Sequence, residues 1–221
     1  MLSAFLSGKL AALRLQALTL SQSAFGGKFV FEIFARMPYT KWVQRLLRPN
    51  FHTFVAIAYP EGTAEEEQTI DTGDIVGTAT IIGPIPKNEY MFTGFDERKV
   101  GGDEESKWHC TALYCSPAMR GKGLGKLLVN ARIEFAKAES TTKRVRVRVL
   151  VHPTNSKTLE PLRARGFVDI GKCCAIEAIP ASGDGMLLPA DGGTHREDAS
   201  PWAILETRHS AKRRSGTLGG D

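Results

Sequence analysis

Residues 118–128 read AMRGKGLGKLL and place three glycines at alternate positions, between a strand-like run that ends at Pro117 and a leucine-rich run. Arg120, Lys122 and Lys126 flank these glycines. Glycine lets the backbone approach a ligand closely, and the free N–H groups at the start of a helix carry partial positive charge. The stretch therefore predicts a turn that binds phosphate.

The spacing of this turn distinguishes it from two common phosphate-binding motifs. A P-loop requires glycine at position 120 and serine or threonine at position 127, where this chain has Arg120 and Leu127. A dinucleotide fingerprint requires glycine at position 126, which is Lys126. It also requires an acidic residue about 20 residues further on, where the chain has arginines. Both motifs fail on two counts.

The remaining pattern, Arg120-x-x-Gly123-x-Gly125, closely resembles the acetyl-coenzyme A signature of the GNAT acyltransferases. Asn155 followed by the pair Gly166-Phe167 is similar to the N…GF pattern that comes after the fifth strand in that family. The order of predicted elements also matches: strand, two helices, three strands, helix, strand, helix, two strands. The resemblance covers most of the chain.

The predicted elements follow from apolar periodicity and from the positions of glycine and proline. The predicted strands are a short one near Leu13–Leu18, a hairpin over 51–60 and 74–83, a buried strand over 108–115, an alternating strand over 143–151, and two closing strands over 167–178 and 202–209. The predicted helices are 21–47 with a break near Pro38, 124–140, and 155–165. Residues 84–107 are expected to be an exposed connection, and residues 179–201 a long loop on the substrate side.

The resemblance implies an α/β (α+β) GNAT fold. Such a fold has a mixed, mostly antiparallel sheet of about seven strands flanked by about four helices, with a V-shaped split between strands 4 and 5. We expect a single domain over residues 1–209 and a disordered basic tail over residues 210–221.

The resemblance also implies acetyl-CoA as the cosubstrate and identifies the residues that bind it. The backbone amide of Leu113 would polarise the thioester carbonyl, and the main chain at Cys115 would pair with pantetheine. The residues expected to bind the remainder of coenzyme A are Arg120, Gly121, Lys122, Gly123, Leu124, Gly125, Lys126 and Asn155.

His109 is the candidate general base. It precedes Leu113 by four residues, and the alternation of a strand predicts that positions 109, 111, 113 and 115 share one face. In some family members a glutamate base stands at the corresponding place, and histidine can accept a proton near pH 7. The alternatives are a buried structural histidine, with Asp103, Glu104 or Glu105 as the base.

The general acid does not carry over from the family. Many members have a tyrosine four residues before the Gly-Phe pair, where this chain has Leu162, preceded by Pro161. Solvent, Tyr114 or Ser116 would then protonate the leaving thiolate.

These features predict an N-acyltransferase that moves an acetyl or short acyl group from acetyl-CoA to a primary amine of a small molecule, by direct attack in a ternary complex. A noncatalytic acyl-CoA-binding protein and a protein or peptide N-acetyltransferase are the alternatives, and a homodimer is left open. A nucleic-acid-binding role for Arg144, Arg146 and Arg148 is disfavoured because no aromatic residues alternate with them to stack on bases. We expect these arginines to pair with carboxylates.

Composition limits the other functional classes. The chain has 221 residues, 42% of them hydrophobic, and a net charge of +5. Cys110, Cys115, Cys173 and Cys174 lack the spacing of a zinc ribbon, so we expect reduced thiols and no metal. No apolar stretch reaches the roughly 18–20 residues that a membrane span needs. We expect a cytoplasmic protein, although the basic N-terminus is also compatible with a mitochondrial presequence.

Overall fold

The computed structural model describes residues 4–21, 27–93, 102, 104–152, 155–188 and 201–212. Its helices are α1 (Ala4–Leu20), α2 (Gly27–Ala35), α3 (Tyr39–Leu46), α4 (Lys87–Tyr90), α5 (Leu124–Glu139), α6 (Ser156–Arg163) and α7 (Ala175–Ala181). Its strands are β1 (Phe51–Ala58), β2 (Asp74–Ile82), β3 (Glu105–Cys115), β4 (Arg144–Val151), β5 (Val168–Cys173) and β6 (Trp202–Ser210).

The strands form one mixed sheet in the order β1-β2-β3-β4-β6-β5. β3 and β4 are parallel, and every other neighbouring pair is antiparallel. The predicted fold class is confirmed. The described residues form six strands and seven α-helices, where about seven strands and about four helices were expected.

The missing strand is the first one. Residues 13–18 lie within α1, so the prediction of a strand there is wrong. Leu10, Leu13 and Ala17 are buried, which is the spacing of one helix face. Leucine is a strong helix former, and the alternation of apolar and polar residues in this segment is coincidental. The predicted break near Pro38 is confirmed, since α2 ends before it and α3 begins after it.

The sheet opens between β3 and β4, the fourth and fifth strands of the predicted order. Their pairing runs from Glu105 opposite Arg144 to Cys110 opposite Val149. β3 continues to Cys115 with no partner on β4 among the described residues. The two strands therefore separate where the V-shaped split was expected.

Helices cover both faces of the sheet. α5 packs on β1 to β4 and α6 on β4, while α1 and α3 contact β2 and β1 from the other side. The main core lies under α5 and α6 and contains Ile81, Trp108, Cys110, Val129, Ile133, Ala136, Val145, Val147, Val151, Leu162, Phe167 and Leu205. No helix within the described ranges is long and apolar enough to cross a membrane.

Two of the three arginines of β4 are buried, and Arg144 is exposed. Arg146 is 1% exposed and pairs with Glu105 at 2.8 Å and with Glu206 at 3.0 Å. Arg148 is also 1% exposed and lies over the Tyr90 ring at 4.1 Å. The expectation that carboxylates pair with the arginines of this strand is confirmed for Arg146 and for Arg144, whose Nε lies 3.5 Å from the Glu105 Oε1. Neither buried guanidinium is accessible to a nucleic acid.

Three predicted boundaries differ from the structure. β3 begins at Glu105, and Lys107 is 4% exposed rather than part of an exposed connection. The strand predicted over 167–178 ends at Cys173, and the residues after it form α7. Ser210 ends β6 rather than beginning the tail. Residues 189–200 of the predicted loop and 213–221 of the predicted tail lie outside the described residues.

Whether α1 is integral to the fold can be tested with two leucines of the same helix. Leu18 has no exposed surface and packs with Phe34 and Trp42, whereas Leu20 is 56% exposed. Leu18→Ala should lower the free energy of unfolding by about 2–5 kcal/mol, as buried leucines do. Leu20→Ala should change it by less than about 0.5 kcal/mol. Urea denaturation measures both, and equal stabilities would favour the presequence interpretation.

Candidate active site

Two glycines of the turn that precedes α5 have left-handed backbone conformations. Gly121 has a φ of 76°, and Gly123, the N-cap of α5, has a φ of 81°. No described atom lies within 4 Å of a Cβ built at either position. Glycine is therefore required here for backbone conformation rather than for packing. The first amides of α5 have no partner within the helix and are directed outward from its N-terminus.

A large cavity of about 700 Å³ lies beside this turn, at the split between β3 and β4. Seven predicted cofactor-binding residues contribute to its wall: Leu113, Cys115, Arg120, Gly121, Gly125, Lys126 and Asn155. Lys122, Gly123 and Leu124 do not. The rest of the wall comes mainly from the end of α1 and from α6.

The wall of the large cavity is cationic. Among the described residues, it contains Arg120, Lys126, Lys157 and Arg165 and no carboxylate. Arg120 connects the turn to its neighbours, since its Nε donates to the Cys115 carbonyl at 3.3 Å and its Nη2 to the Ser21 hydroxyl at 3.4 Å. This charge favours an anionic ligand.

Sequence reasoning missed two of these cations. Lys157 lies on α6, and Arg165 lies just after that helix. The signal was available, because positions 157, 161 and 165 follow an i, i+4, i+8 spacing and all three line the cavity.

β3 contains one extra residue beside this cavity. Thr78 of β2 is opposite Tyr114, whereas Thr80 is opposite Thr111, so three steps on β3 match two on β2. Ala112 has a φ of 54°, which is unusual for a residue other than glycine. Within the described strands, neither Ala112 nor Leu113 has a partner. This is a β-bulge, a feature that often occurs beside active sites.

Arg132 of α5 spans the bulge. Its side chain is buried, and Nη1 donates to the Thr80 carbonyl at 3.3 Å and to the Thr111 carbonyl at 3.2 Å. One guanidinium thus connects the two strands where their register changes.

The bulge contradicts the predicted alternation of positions 109, 111, 113 and 115. Leu113 packs against the core that contains Trp108 and Cys110, and a Cβ at Gly125 of α5 would lie 3.9 Å from the Cys115 Sγ. Thr111 lines a cavity on the opposite face. The prediction that these four positions share a face is therefore wrong, since the extra residue turns Leu113 and Cys115 toward α5.

This second, small cavity has a volume of about 70 Å³. Thr111 and Ala112 contribute to its wall, and the next residue, Leu113, contributes to the wall of the large cavity. The two cavities therefore lie on either side of the bulge. The small cavity is also lined by Leu10, Arg14, Trp42, Arg45, Leu46, Arg48, Phe51, Thr53, Thr78, Thr80, Ser182 and Asp184.

His109 lies behind the small cavity rather than in its wall. Its side chain has no exposed surface, and its Nε2 lies 3.2 Å from the Ser182 Oγ. Burial lowers the pKa of His109 well below 6.5, and the charges of Arg148 and Arg132 lower it further. His109 is therefore neutral at pH 7, and Ser182 is the group between it and the small cavity.

The carboxylates considered as alternative bases lie elsewhere. Glu105 is paired with Arg146 at the opposite end of β3 from the bulge. Glu104 is 69% exposed and lies 3.8 Å from Arg144. Asp103 lies outside the described residues.

Among the predicted proton donors, Tyr114 lines the large cavity and Ser116 does not. The Tyr114 hydroxyl lies 3.4 Å from the Gln16 Oε1, and burial raises its pKa, so the phenol is protonated at pH 7. Leu162 is 3% exposed and lines the same cavity without a proton to donate.

Residues 21–167 match the model of the acetyltransferase (GNAT) family. The chain belongs to this family. The resemblance inferred from the glycine turn is confirmed. Members of this family use acetyl-CoA and an amine acceptor. A comparison with curated protein sequences found no match.

Solved structures share this fold at low sequence identity. A phosphinothricin acetyltransferase from Sinorhizobium meliloti in complex with AcCoA has a TM-score of 0.55 at 15% identity, covering 98% of this chain and 91% of its own. A GNAT protein from Kribbella flavida has a TM-score of 0.51 at 14% identity, with coverages of 91% and 90%. A GNAT acetyltransferase from Streptococcus pneumoniae has a TM-score of 0.51 at 15% identity, with coverages of 91% and 92%.

The buried state of His109 predicts how its protonation affects stability. Its pKa is lowered in the folded protein, so below pH 6.5 the unfolded chain binds the proton more tightly. Because of His109, the free energy of unfolding should therefore decrease as the pH falls below about 6.5, by about 1.4 kcal/mol per pH unit. Urea denaturation of wild type and His109→Gln at pH 7.5 and pH 5.5 isolates this contribution. A wild type that loses no more stability than the variant would show that His109 is protonated in the fold.

Proposed function

We propose that this GNAT protein transfers an acetyl or short acyl group from acyl-CoA to a primary amine of a small molecule. The amine attacks the thioester directly while both substrates are bound. The observation that carries this proposal is the pair of cavities on the two sides of the β3 bulge, one cationic and large, the other small. Two substrates that enter from opposite faces would meet at Leu113.

The large cavity supports the acyl-CoA half of the reaction. Its cations and the N-terminus of α5 match the phosphates of coenzyme A. Among the described residues, β3 has no β4 partner after Cys110, so the main chain of Leu113 and Cys115 is open on that side for pairing with pantetheine. The Leu113 amide is then the donor for the thioester carbonyl and for the oxyanion formed when the amine attacks.

The small cavity supports the acceptor half. The attacking nitrogen must lose a proton as its bond to the acyl carbon forms. In this proposal the Ser182 hydroxyl receives that proton and passes its own to the neutral Nε2 of His109, 3.2 Å away. His109 acts through the serine because it has no exposed surface itself.

The thiolate of coenzyme A must then receive a proton. The Tyr114 hydroxyl is the candidate donor in the wall of the large cavity, and solvent is the alternative. Leu162 supplies no proton, and this observation favours a noncatalytic acyl-CoA-binding protein as the second candidate function. A volume of about 70 Å³ on the acceptor side favours a small amine over a peptide.

Incubation with acetyl-CoA and a panel of primary amines tests the proposed reaction. Release of free thiol that requires both an amine and acetyl-CoA is the expected result. Tight coenzyme A binding by calorimetry with no thiol release from any amine would instead support the noncatalytic function.

The coenzyme A site is tested by two lysines of one turn. Lys126 lines the large cavity, whereas Lys122 does not and lies with its Nζ 3.9 Å from the Met119 Sδ. Lys126→Glu should weaken coenzyme A binding by roughly tenfold or more, since hydrogen bonds to charged groups contribute about 1.5–3 kcal/mol. Lys122→Glu makes the same charge change outside the cavity and should have a smaller effect. Calorimetry at 0.3 M salt measures both, and equal affinities would contradict this site.

The proton path is tested by Ser182→Ala. Loss of the hydroxyl should reduce kcat by roughly 10²- to 10⁴-fold, the usual contribution of a positioned base. Coenzyme A affinity should stay unchanged, and His109→Ala should have a similar effect without a further loss in the double variant. Ser116→Ala is the matched control because Ser116 lines neither cavity. Full turnover by Ser182→Ala would eliminate this path.

A further inference from the structure

We infer that the amine acceptor carries an anionic group, a carboxylate or a phosphonate, which Arg14, Arg45 and Arg48 bind in the small cavity. This inference rests on the proposed function, because it assigns the acceptor to that cavity. It adds the chemical class of the acceptor, an amino acid or a close analogue, which membership of the family leaves open.

The described part of the small cavity's wall contains more cations than carboxylates. Among these residues, three arginines and one carboxylate, Asp184, line the cavity. Arg45 pairs directly with Asp184, and the Arg14 Nη2 lies 3.9 Å from the same carboxylate. Asp184 is 8% exposed, and its single negative charge stands against the three positive charges of these arginines. The described residues of the wall thus carry more positive than negative charge.

The titration of the arginines is consistent with this excess. Burial lowers the pKa of Arg14, and the net effect of burial, the opposing charge of Asp184 and the charge of Arg45 is a pKa of about 10. Burial and the charge of Arg45 together lower the pKa of Arg48 to about 10, although Asp184 acts in the opposite direction. Both cations are present at pH 7, but their environment disfavours the charge. A bound anion would remove this penalty.

The guanidinium groups are held in position before any ligand binds. Arg48 donates from Nε to the Arg45 carbonyl at 3.0 Å and from Nη1 to the Gly183 carbonyl, and it stacks on the Phe51 ring at 3.7 Å. Arg45 lies over the Phe34 ring at 4.8 Å. Its Nη1 is buried and has no hydrogen-bond partner among the described residues. A planar guanidinium with free donors matches the oxygen atoms of a carboxylate or phosphonate.

The opposite side of the cavity provides hydroxyl groups and the bulge. Thr53 and Thr80, whose Oγ1 atoms lie 3.2 Å apart, line it together with Thr78 and Thr111. The arginines come from α1 and from the region of α3, whereas Thr111 and Ala112 come from β3. An acceptor with its anionic end at the arginines would therefore direct its amine toward the bulge. The small volume requires these two groups to be close together, as in an amino acid.

The first measurement compares matched acceptors with the wild-type protein. Each α-amino acid is paired with its carboxamide, and a set of aminoalkylphosphonates is included. With acetyl-CoA, at least one anionic amine should show a kcat/KM roughly tenfold or more above that of its neutral analogue, since charged hydrogen bonds are the stronger ones. The phosphonates distinguish the two kinds of anion.

The second measurement uses arginine variants. Arg48→Gln should raise KM for the preferred anionic amine by roughly 10- to 100-fold, leave kcat nearly unchanged and leave the neutral analogue unaffected. Arg45→Gln should do the same, but it also removes the partner of Asp184 and so requires a check of folding. Arg36→Gln is the matched control, because Arg36 is exposed at the end of α2 and lies outside the cavity wall.

A binding measurement that does not depend on catalysis separates this inference from the proposed function. The preferred anionic amine should raise the unfolding temperature of the wild-type protein in the presence of coenzyme A, and the rise should be lost in Arg48→Gln. Thiol release with no preference for anionic amines would overturn the inference and leave the acyltransferase function intact. Without thiol release from any amine, the proposed function fails. A thermal shift that depends on Arg48 would still support the anion site, and no shift would overturn it.

Discussion

The extra residue in β3 is the constraint on which the site depends. Without it, strand alternation would place Leu113 on the same face as His109, and β3 would follow β2 in register to its end. With it, the alternation of side chains shifts by one residue at Ala112, and Leu113 therefore points toward α5. The positive φ of Ala112 costs about 1–3 kcal/mol. The hydrogen bonds from Arg132 to two backbone carbonyls offset part of that cost.

Two groups of arginines illustrate how charge is tolerated inside this protein. Arg146 lies between Glu105 and Glu206, so its charge is balanced, and its Nε and Nη1 donate to carboxylate oxygens. Such a paired group stabilises one arrangement of the strands but offers nothing to a ligand. Among the described residues that line the small cavity there are three arginines and one carboxylate. The same residue type is structural in one place and available for binding in the other, and the supply of carboxylates makes the difference.

The sequence contained enough information for the phosphate-binding turn and α5, because glycines and apolar periodicity are local signals. It also predicted the split of the sheet, through the family that the turn resembles. It did not predict the bulge, since nothing in the run Leu113, Tyr114 and Cys115 indicates that β3 has one residue more than β2 at this point. The small cavity was equally out of reach. Arg14 and Asp184 are far apart in the chain, and only the packing of α1 against the sheet brings them together.

The first helix was misread because two patterns coincide in it. Apolar residues at positions 13, 15 and 17 suggest alternation, whereas burial follows positions 10, 13, 17 and 18. Leucine's preference for helices and the packing partners provided by α2 and α3 decide between these patterns. Sequence periodicity alone does not reveal the packing partners.

The packing of α1 also has a consequence for synthesis. α1 precedes β3 in the chain, yet Leu13 and Ala17 pack on Tyr114, and Gln16 contacts the Tyr114 hydroxyl across 98 positions of sequence. Because a ribosome releases the chain from its N-terminus, α1 leaves the exit tunnel long before β3 exists. Leu18 can pack with Phe34 and Trp42 as soon as α2 and α3 emerge, whereas the face that carries Leu13 and Ala17 lacks its partner until Tyr114 is made. The two faces of this helix thus reach their native contacts at different stages of synthesis.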